Sequence, residues 1–153
     1  MAFRYHFPEQ QRLDRILISQ ENTTFYLSAS AKTWPLILPS YNSHYEENYQ
    51  SLESDRIPDG SIIGLPFLME QQGIWMAVTE ADLTDYAGLY LTPSRQYAHA
   101  FESRLNPGLN DRFKVEGITP FTSPWRVILL GDTPGALIES NWITALNLSL
   151  IHI

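Results

Sequence analysis

The sequence predicts an all-β protein built as an antiparallel β-sandwich, and three observations predict it. Short runs rich in β-branched and aromatic residues recur along the chain at strand length, with Leu13–Ser19, Thr23–Ser28, Ser61–Met69, Ile74–Glu80 and Tyr86–Thr92 the clearest. Turn signals separate them, the plainest being Asp59-Gly60, the Glu70–Gly73 connection and Pro93-Ser94. A clear helix start occurs once, at Thr133-Pro134, where threonine suits an N-cap and proline the first helical position.

Each element follows from its own residues. Phe3, Tyr5 and Phe7 alternate with Arg4 and His6, which predicts a strand with one aromatic face, ended by Pro8. Leu13–Ser19 and Thr23–Ser28 predict two further strands joined by a polar turn, Gln20-Glu21-Asn22. Thr33–Leu38 is apolar, but Pro35 within it predicts an edge strand or an irregular segment. Ser61–Met69 and Ile74–Glu80 predict a hairpin whose Gly73 can take a positive φ. Tyr86–Thr92 and Gln96–Ser103 predict strands flanking Pro93-Ser94; Leu105–Asp111 reads as a loop and Phe113–Ile118 as a short strand. Val127–Leu130 is apolar on both alternating faces, which predicts a central strand buried on both, with the sheet assembled against it.

Bulk properties set the class. The chain has 153 residues, 44% hydrophobic and 12% aromatic, enough for one domain with a real core. A net charge of −7 argues against a nucleic-acid binder, because neutralising phosphates needs a basic surface. The absence of cysteine excludes a disulfide framework and any thiolate metal site. No apolar run reaches the roughly 18 residues a transmembrane helix needs. The residues after Met1 alternate as a strand and do not read as a signal peptide.

Several residues are candidates for chemistry. Glu80, Asp82 and Asp85 place three carboxylates close together, and calcium takes several hard oxygen ligands. The spacing is not that of an EF-hand, and on the sequence alone a solvated turn is the better account of these residues. Glu80 continues the Ile74, Met76, Val78 face, so it either reaches water at the rim or has a specific partner, since burying it unpaired is costly. Arg126 has three readings: a bidentate pair with a carboxylate of another domain, a stack on an aromatic ring, or closure of the sandwich end. Tyr41, Tyr45 and Tyr49 recur every four residues within Pro39–Gly60, either as a short helical turn or as a long surface loop pinned by its tyrosines. His6, His44 and His99 stand apart without metal-ligand spacing, and neither a nucleophile elbow nor a P-loop is present.

Two segments, SPWRVILLGDTPGALIESN at Ser123–Asn141 and WMAVTEADLTDYAGLYL at Trp75–Leu91, are joined by a third, AFRYHF at Ala2–Phe7. In this order they resemble the N-terminal domain of glycoside hydrolase family 97, bacterial exo-acting α-glycosidases. The resemblance implies a large two-sheet super-sandwich of the galactose mutarotase type, here incomplete. It also implies a catalytic (β/α)8 barrel in the same polypeptide, an α-linked oligosaccharide substrate, calcium as cofactor, and a periplasmic or secreted location. One site residue follows: the family brings a single glutamate from this domain to a calcium otherwise held by the barrel, and Glu80 in VTEADL matches it. Asp82 and Asp85 have no such counterpart. The acid and the base or nucleophile belong to the barrel, so no residue here is expected to be catalytic. The choices between α-glucosidase and α-galactosidase, and between inversion and retention, therefore lie outside this chain. Exposed tyrosines of Pro39–Gly60 are also of a kind that stacks on sugar rings.

Residues 1–147 thus read as part of an N-terminal sandwich domain. Leu148–Ile153, LSLIHI, break the preceding pattern and match the translation of a transposase adapter common in sequencing libraries; the other reading is an ordinary apolar strand. Met1 stands where the family often has an internal residue, as expected of a gene fragment. Two other functions stay open. One is a stand-alone carbohydrate-binding or structural sandwich module, because no complete catalytic set lies within the chain. The other is a mutarotase-type epimerase, which needs His6 or His99 to converge with a carboxylate.

Overall fold

Alternation along the chain does produce strands, mostly shorter than the runs that announce them. The computed structural model describes residues 1–108 and 112–147, so the LSLIHI segment lies outside the described residues. The first aromatic run splits at Arg4-Tyr5 into β1 (Ala2–Phe3) and β2 (His6–Phe7). After β3 (Arg15–Ile18) and β4 (Thr24–Tyr26) come β5 (Lys32–Leu38) and β6 (Leu52–Glu53), the last running into a 3-10 turn at Ser54–Arg56. Two hairpins follow, β7 (Ile62–Gln71) with β8 (Ile74–Ala81), and β9 (Leu89–Pro93) with β10 (Ala100–Leu105). The remaining strands are β11 (Val115–Ile118), β12 (Phe121–Thr122) and β13 (Trp125–Gly131), and two short helices, α1 (Pro134–Ile138) and α2 (Trp142–Leu146), come after them.

The strand pairings are antiparallel. Nine strands form one curled sheet in the order β1-β13-β8-β7-β9-β10-β4, with β5 along the other side of β7 and β6 on β5. The β2–β12 and β3–β11 pairs form separate two-stranded ribbons. This is the predicted class, antiparallel and sandwich-like, with helix confined to the C-terminal end. The hub of the sheet is β7. Leu68, Met69 and Glu70 pair with β8 and β5 at once, and Ile63 pairs with both Ile37 and Leu91. On the sheet's inner side Phe25, Ile57, Ile63, Phe67, Met69, Val78, Leu91 and Phe101 form the main core, with Phe67 and Phe101 edge to face at 4.8 Å. Fully burying side chains of this size contributes about 1.5–3 kcal/mol each.

Three expectations change. First, β13 is not central: β8 flanks its whole length, but β1 meets only Arg126 and Val127. Its apolar run is therefore not buried on both faces throughout; Val127 is buried, while Leu130 is 62% exposed. An unbroken apolar run reports hydrophobicity, whereas burial depends on which strands lie alongside. Second, Gln20-Glu21-Asn22 is not the expected turn but a link: β3 joins β11 and β4 joins β10, so it crosses from a ribbon to the main sheet. Third, the β7–β8 connection is tighter than Glu70–Gly73. Gln71 pairs with Ile74, leaving Gln72 and Gly73 as a two-residue turn with φ of 54° and 82°. Positive φ at both positions matches the right-handed strand twist.

The other elements keep their expected character. In β5 the register shifts between Trp34 and Leu36, at Pro35, as a missing N–H requires. Tyr41, Tyr45 and Tyr49 lie outside any helical turn, and the loop is pinned to the sheet: Tyr41 packs edge-on against Tyr90 at 5.1 Å, and the Tyr45 hydroxyl accepts the Leu65 N–H at 3.1 Å. Thr133 caps α1, its hydroxyl accepting the Ala136 N–H at 3.2 Å, with Pro134 in the first turn.

Candidate functional site

Glu80 and Arg126 face each other because β8 and β13 pair in a register that puts them directly opposite. The carboxylate at the end of the Val78 face thus has a specific partner. Arg126 Nη1 donates to Glu80 Oε2 at 2.7 Å, and the Leu89 N–H at the start of β9 donates to Glu80 Oε1 at 3.1 Å. The other side of the guanidinium grips Glu21, with Nε donating to Oε1 at 2.8 Å and Nη2 to Oε2 at 2.6 Å. This fork-on-fork geometry is the strong form of the pair. Glu21 also accepts from the Thr23 hydroxyl at 2.9 Å and the Tyr86 hydroxyl at 3.3 Å, and Tyr5 bonds Thr23 in turn at 2.9 Å. The guanidinium carbon lies 5.6 Å from the centre of the Tyr86 ring.

The cluster is deeply placed. The Arg126 side chain is 0% exposed and that of Glu21 is 3% exposed, whereas 14% of the Glu80 side chain reaches the surface. With both carboxylates ionised, two negative charges share one positive charge. Burial pushes the Glu80 pKa up, and the Glu21 charge adds to this; the Leu89 N–H and Arg126 only partly offset it. Burial works against the Arg126 charge too, but its hydrogen bonds to Glu21 and the two carboxylate charges leave its pKa raised. The Tyr86 hydroxyl is also pushed up, by burial first and then by the Glu21 charge, and it stays a neutral donor.

For Arg126, the bidentate pair is made within the chain, to Glu21, and not with a carboxylate of another domain, and Tyr86 is the aromatic neighbour. Glu21 was expected only as part of a polar turn, and it is the partner that sequence reasoning missed. The signal was indirect: one arginine at the head of an apolar strand needs a carboxylate, but local sequence does not say which. Asp85 is exposed, as a solvated turn predicts. Asp82 is not: its side chain is 15% exposed and lies 3.7 Å from Arg4, and its N–H donates to Asn147 Oδ1 at 2.7 Å. Among the described residues no three His, Cys, Asp or Glu side chains gather to hold a metal. A metal ion at Glu80 would have that one carboxylate as its ligand from these residues. The carboxylate oxygens of Glu80 keep acceptor capacity beyond the bonds they already accept, and the other oxygens must come from elsewhere. His6 lies in the β2–β12 ribbon, and His99 lines a cavity of ≈ 180 Å³ with Asp55 and Asp59. That volume is below the roughly 300–1,000 Å³ of ligand pockets.

Comparison with known proteins agrees with this architecture. The family described as Glycosyl-hydrolase 97 N-terminal matches residues 1–148. A glycoside hydrolase family 97 enzyme from Pseudoalteromonas sp. strain K8, solved in complex with acarbose, is 28% identical with a TM-score of 0.82. The match covers 96% of this chain and 22% of that one. A variant from the same strain, in complex with panose, is 29% identical with a TM-score of 0.81, again over 96% of this chain and 22% of that one. A beta-arabinopyranosidase shares the fold at 24% identity and a TM-score of 0.66, over 86% of this chain and 23% of its own. This chain thus spans about a fifth of the length of the enzymes it resembles, and with 148 of its residues matched it belongs to the glycosyl-hydrolase 97 N-terminal family.

Proposed function

We propose that this chain is the N-terminal β-domain of a calcium-dependent exo-acting α-glycosidase, packed on a catalytic (β/α)8 barrel of the same polypeptide and lending Glu80 to its calcium site. The observation that carries this reading is the charge imbalance at the rim of the buried cluster. Arg126 is already held bidentately by Glu21, so the partly exposed Glu80 carboxylate is only half compensated. A divalent cation on its exposed side would supply the missing charge.

Within that site the calcium would polarise and orient oxygen groups around the glycosidic bond as a Lewis acid. The chain's own residues act before any bond breaks. The Leu89 N–H and Arg126 fix the Glu80 carboxylate from two directions, so it needs little reordering to serve as a ligand. Glu21 and Tyr86 hold Arg126 in place behind it. An α-linked oligosaccharide is the proposed substrate; the two carboxyl groups that hydrolysis needs are assigned to the barrel.

The test is Glu80→Gln in the full-length enzyme. Activity is expected to fall at low calcium and to recover in part as calcium is raised. Kinetics unchanged from wild type at low calcium would remove Glu80 from the site.

A further inference from the structure

A cavity of ≈ 560 Å³ lies between the β3–β4 link and the β9–β10 hairpin, and Glu80 does not line it. We propose that this cavity is a saccharide-binding site that shares Glu21, but not Glu80, with the Arg126 cluster and takes one end of a neutral oligosaccharide. The volume falls within the usual range for ligand pockets, roughly 300–1,000 Å³. The ligand class follows from the chemistry of the walls.

The walls carry polar groups without net charge. Glu21 and Glu102 are balanced by Arg104 and Lys114. The Glu21 carboxylate is moreover engaged by Arg126, and that of Glu102 accepts the Ser94 hydroxyl at 2.6 Å. Such a lining does not select an ion. The exposed side chains of Gln20, Asn22 and Gln96 each bring an amide with both donors and an acceptor, matching hydroxyls that donate and accept. Two tyrosines supply apolar faces. Tyr41 is braced against Tyr90, and Tyr97, 43% exposed, stands edge-on to Tyr26 at 5.4 Å. A neutral ligand with many hydroxyls and an apolar C–H face is a sugar.

The site is also built before any ligand arrives. The Ser94 hydroxyl oxygen accepts the N–H groups of both Gln96 and Tyr97, at 3.1 and 3.0 Å, which fixes the loop presenting them. On the floor, Ser103 donates to the Glu21 carbonyl at 2.5 Å and accepts the Thr23 N–H at 3.0 Å. Groups held in this way lose little freedom on binding.

The test is calorimetric titration of the 153-residue chain with maltotriose and with cellotriose. A trisaccharide of glucuronic acid serves as the charged comparison. Saturable binding of at least one neutral trisaccharide is expected, stronger than that of the charged one. Tyr97→Ala and Gln96→Ala should each weaken it at least tenfold with the circular dichroism spectrum unchanged. If Tyr97→Ala disturbs the fold, the exposed Gln96→Ala decides. No saturable binding, tighter binding of the charged sugar, or equal binding by wild type and Gln96→Ala would overturn the proposal. None of these outcomes bears on the role of Glu80 in calcium binding.

Discussion

The two ends of β13 invert the ordinary order of hydropathy. At the N-terminal end Arg126 is completely buried; at the C-terminal end Leu130 is 62% exposed. The same strand and the same partner, β8, run through both positions. The difference lies on the other edge. There β1 pairs with Arg126 and Val127, and Met1 closes the ladder by accepting the Ile128 N–H at 2.8 Å. No further strand continues beside Leu129 and Leu130 among the described residues. Burial is thus set by neighbours, and a charge can occupy the most buried position if its partners arrive from other elements. Glu80 comes from β8, Glu21 from the link after β3, and Tyr86 from the segment before β9.

The largest effect should come from breaking the buried end. Arg126→Ala removes the guanidinium and leaves Glu21 buried without its counter-charge. Breaking a buried pair by deleting one partner costs about 3–5 kcal/mol, a large part of the stability of a domain this size. Urea denaturation would measure it. A loss below about 1 kcal/mol would show that the cluster relaxes into water, against the geometry described above.

The Glu80 half of the cluster should respond to pH, and the sign follows from its raised pKa. A carboxyl that holds its proton more tightly when folded favours the fold fully below its unfolded value, near the ordinary 4.5. That contribution is lost as pH rises through the folded value. Glu80→Gln keeps an acceptor for Leu89 and Arg126 but cannot ionise. With chelator present, the variant should therefore gain on wild type as pH rises from about 4 to 7. Melting temperatures of both proteins across that range would check it, and a constant difference would contradict the raised pKa.

Much of this was legible locally. Period-two alternation placed the β7–β8 hairpin, and Thr133-Pro134 placed the start of α1. Pro35 marked the register break in β5. What was not legible is long-range pairing. Leu13–Ser19 and Thr23–Ser28 are neighbours in sequence, yet they do not pair; the partner of the first lies about a hundred residues away and that of the second fewer than eighty. The same non-locality hid Glu21, since its role appears only when Arg126, 105 positions later, is folded against it. Glu80 stood out through the VTEADL resemblance, and its pairing with Arg126 depends on a register that neither strand specifies alone.

The exposed end should yield smaller effects. Thr133→Ala deletes the cap of α1, the helix beside Gly131, and loss of an N-cap costs about 1 kcal/mol. Leu130→Ser should cost the least, within about 0.5 kcal/mol for the 153-residue chain, because the side chain already faces water. The same change in a full-length enzyme carrying the barrel is more informative. Ile138 is 85% exposed and Trp142 67% exposed, so Leu130 is one of several exposed apolar side chains in this C-terminal part of the chain. If this part of the surface packs on another part of the polypeptide, Leu130→Ser should cost clearly more there than in the short chain. An equal, near-zero cost in both would mean that Leu130 faces solvent in the whole protein as well, and any contact with the proposed barrel would have to be sought on another surface.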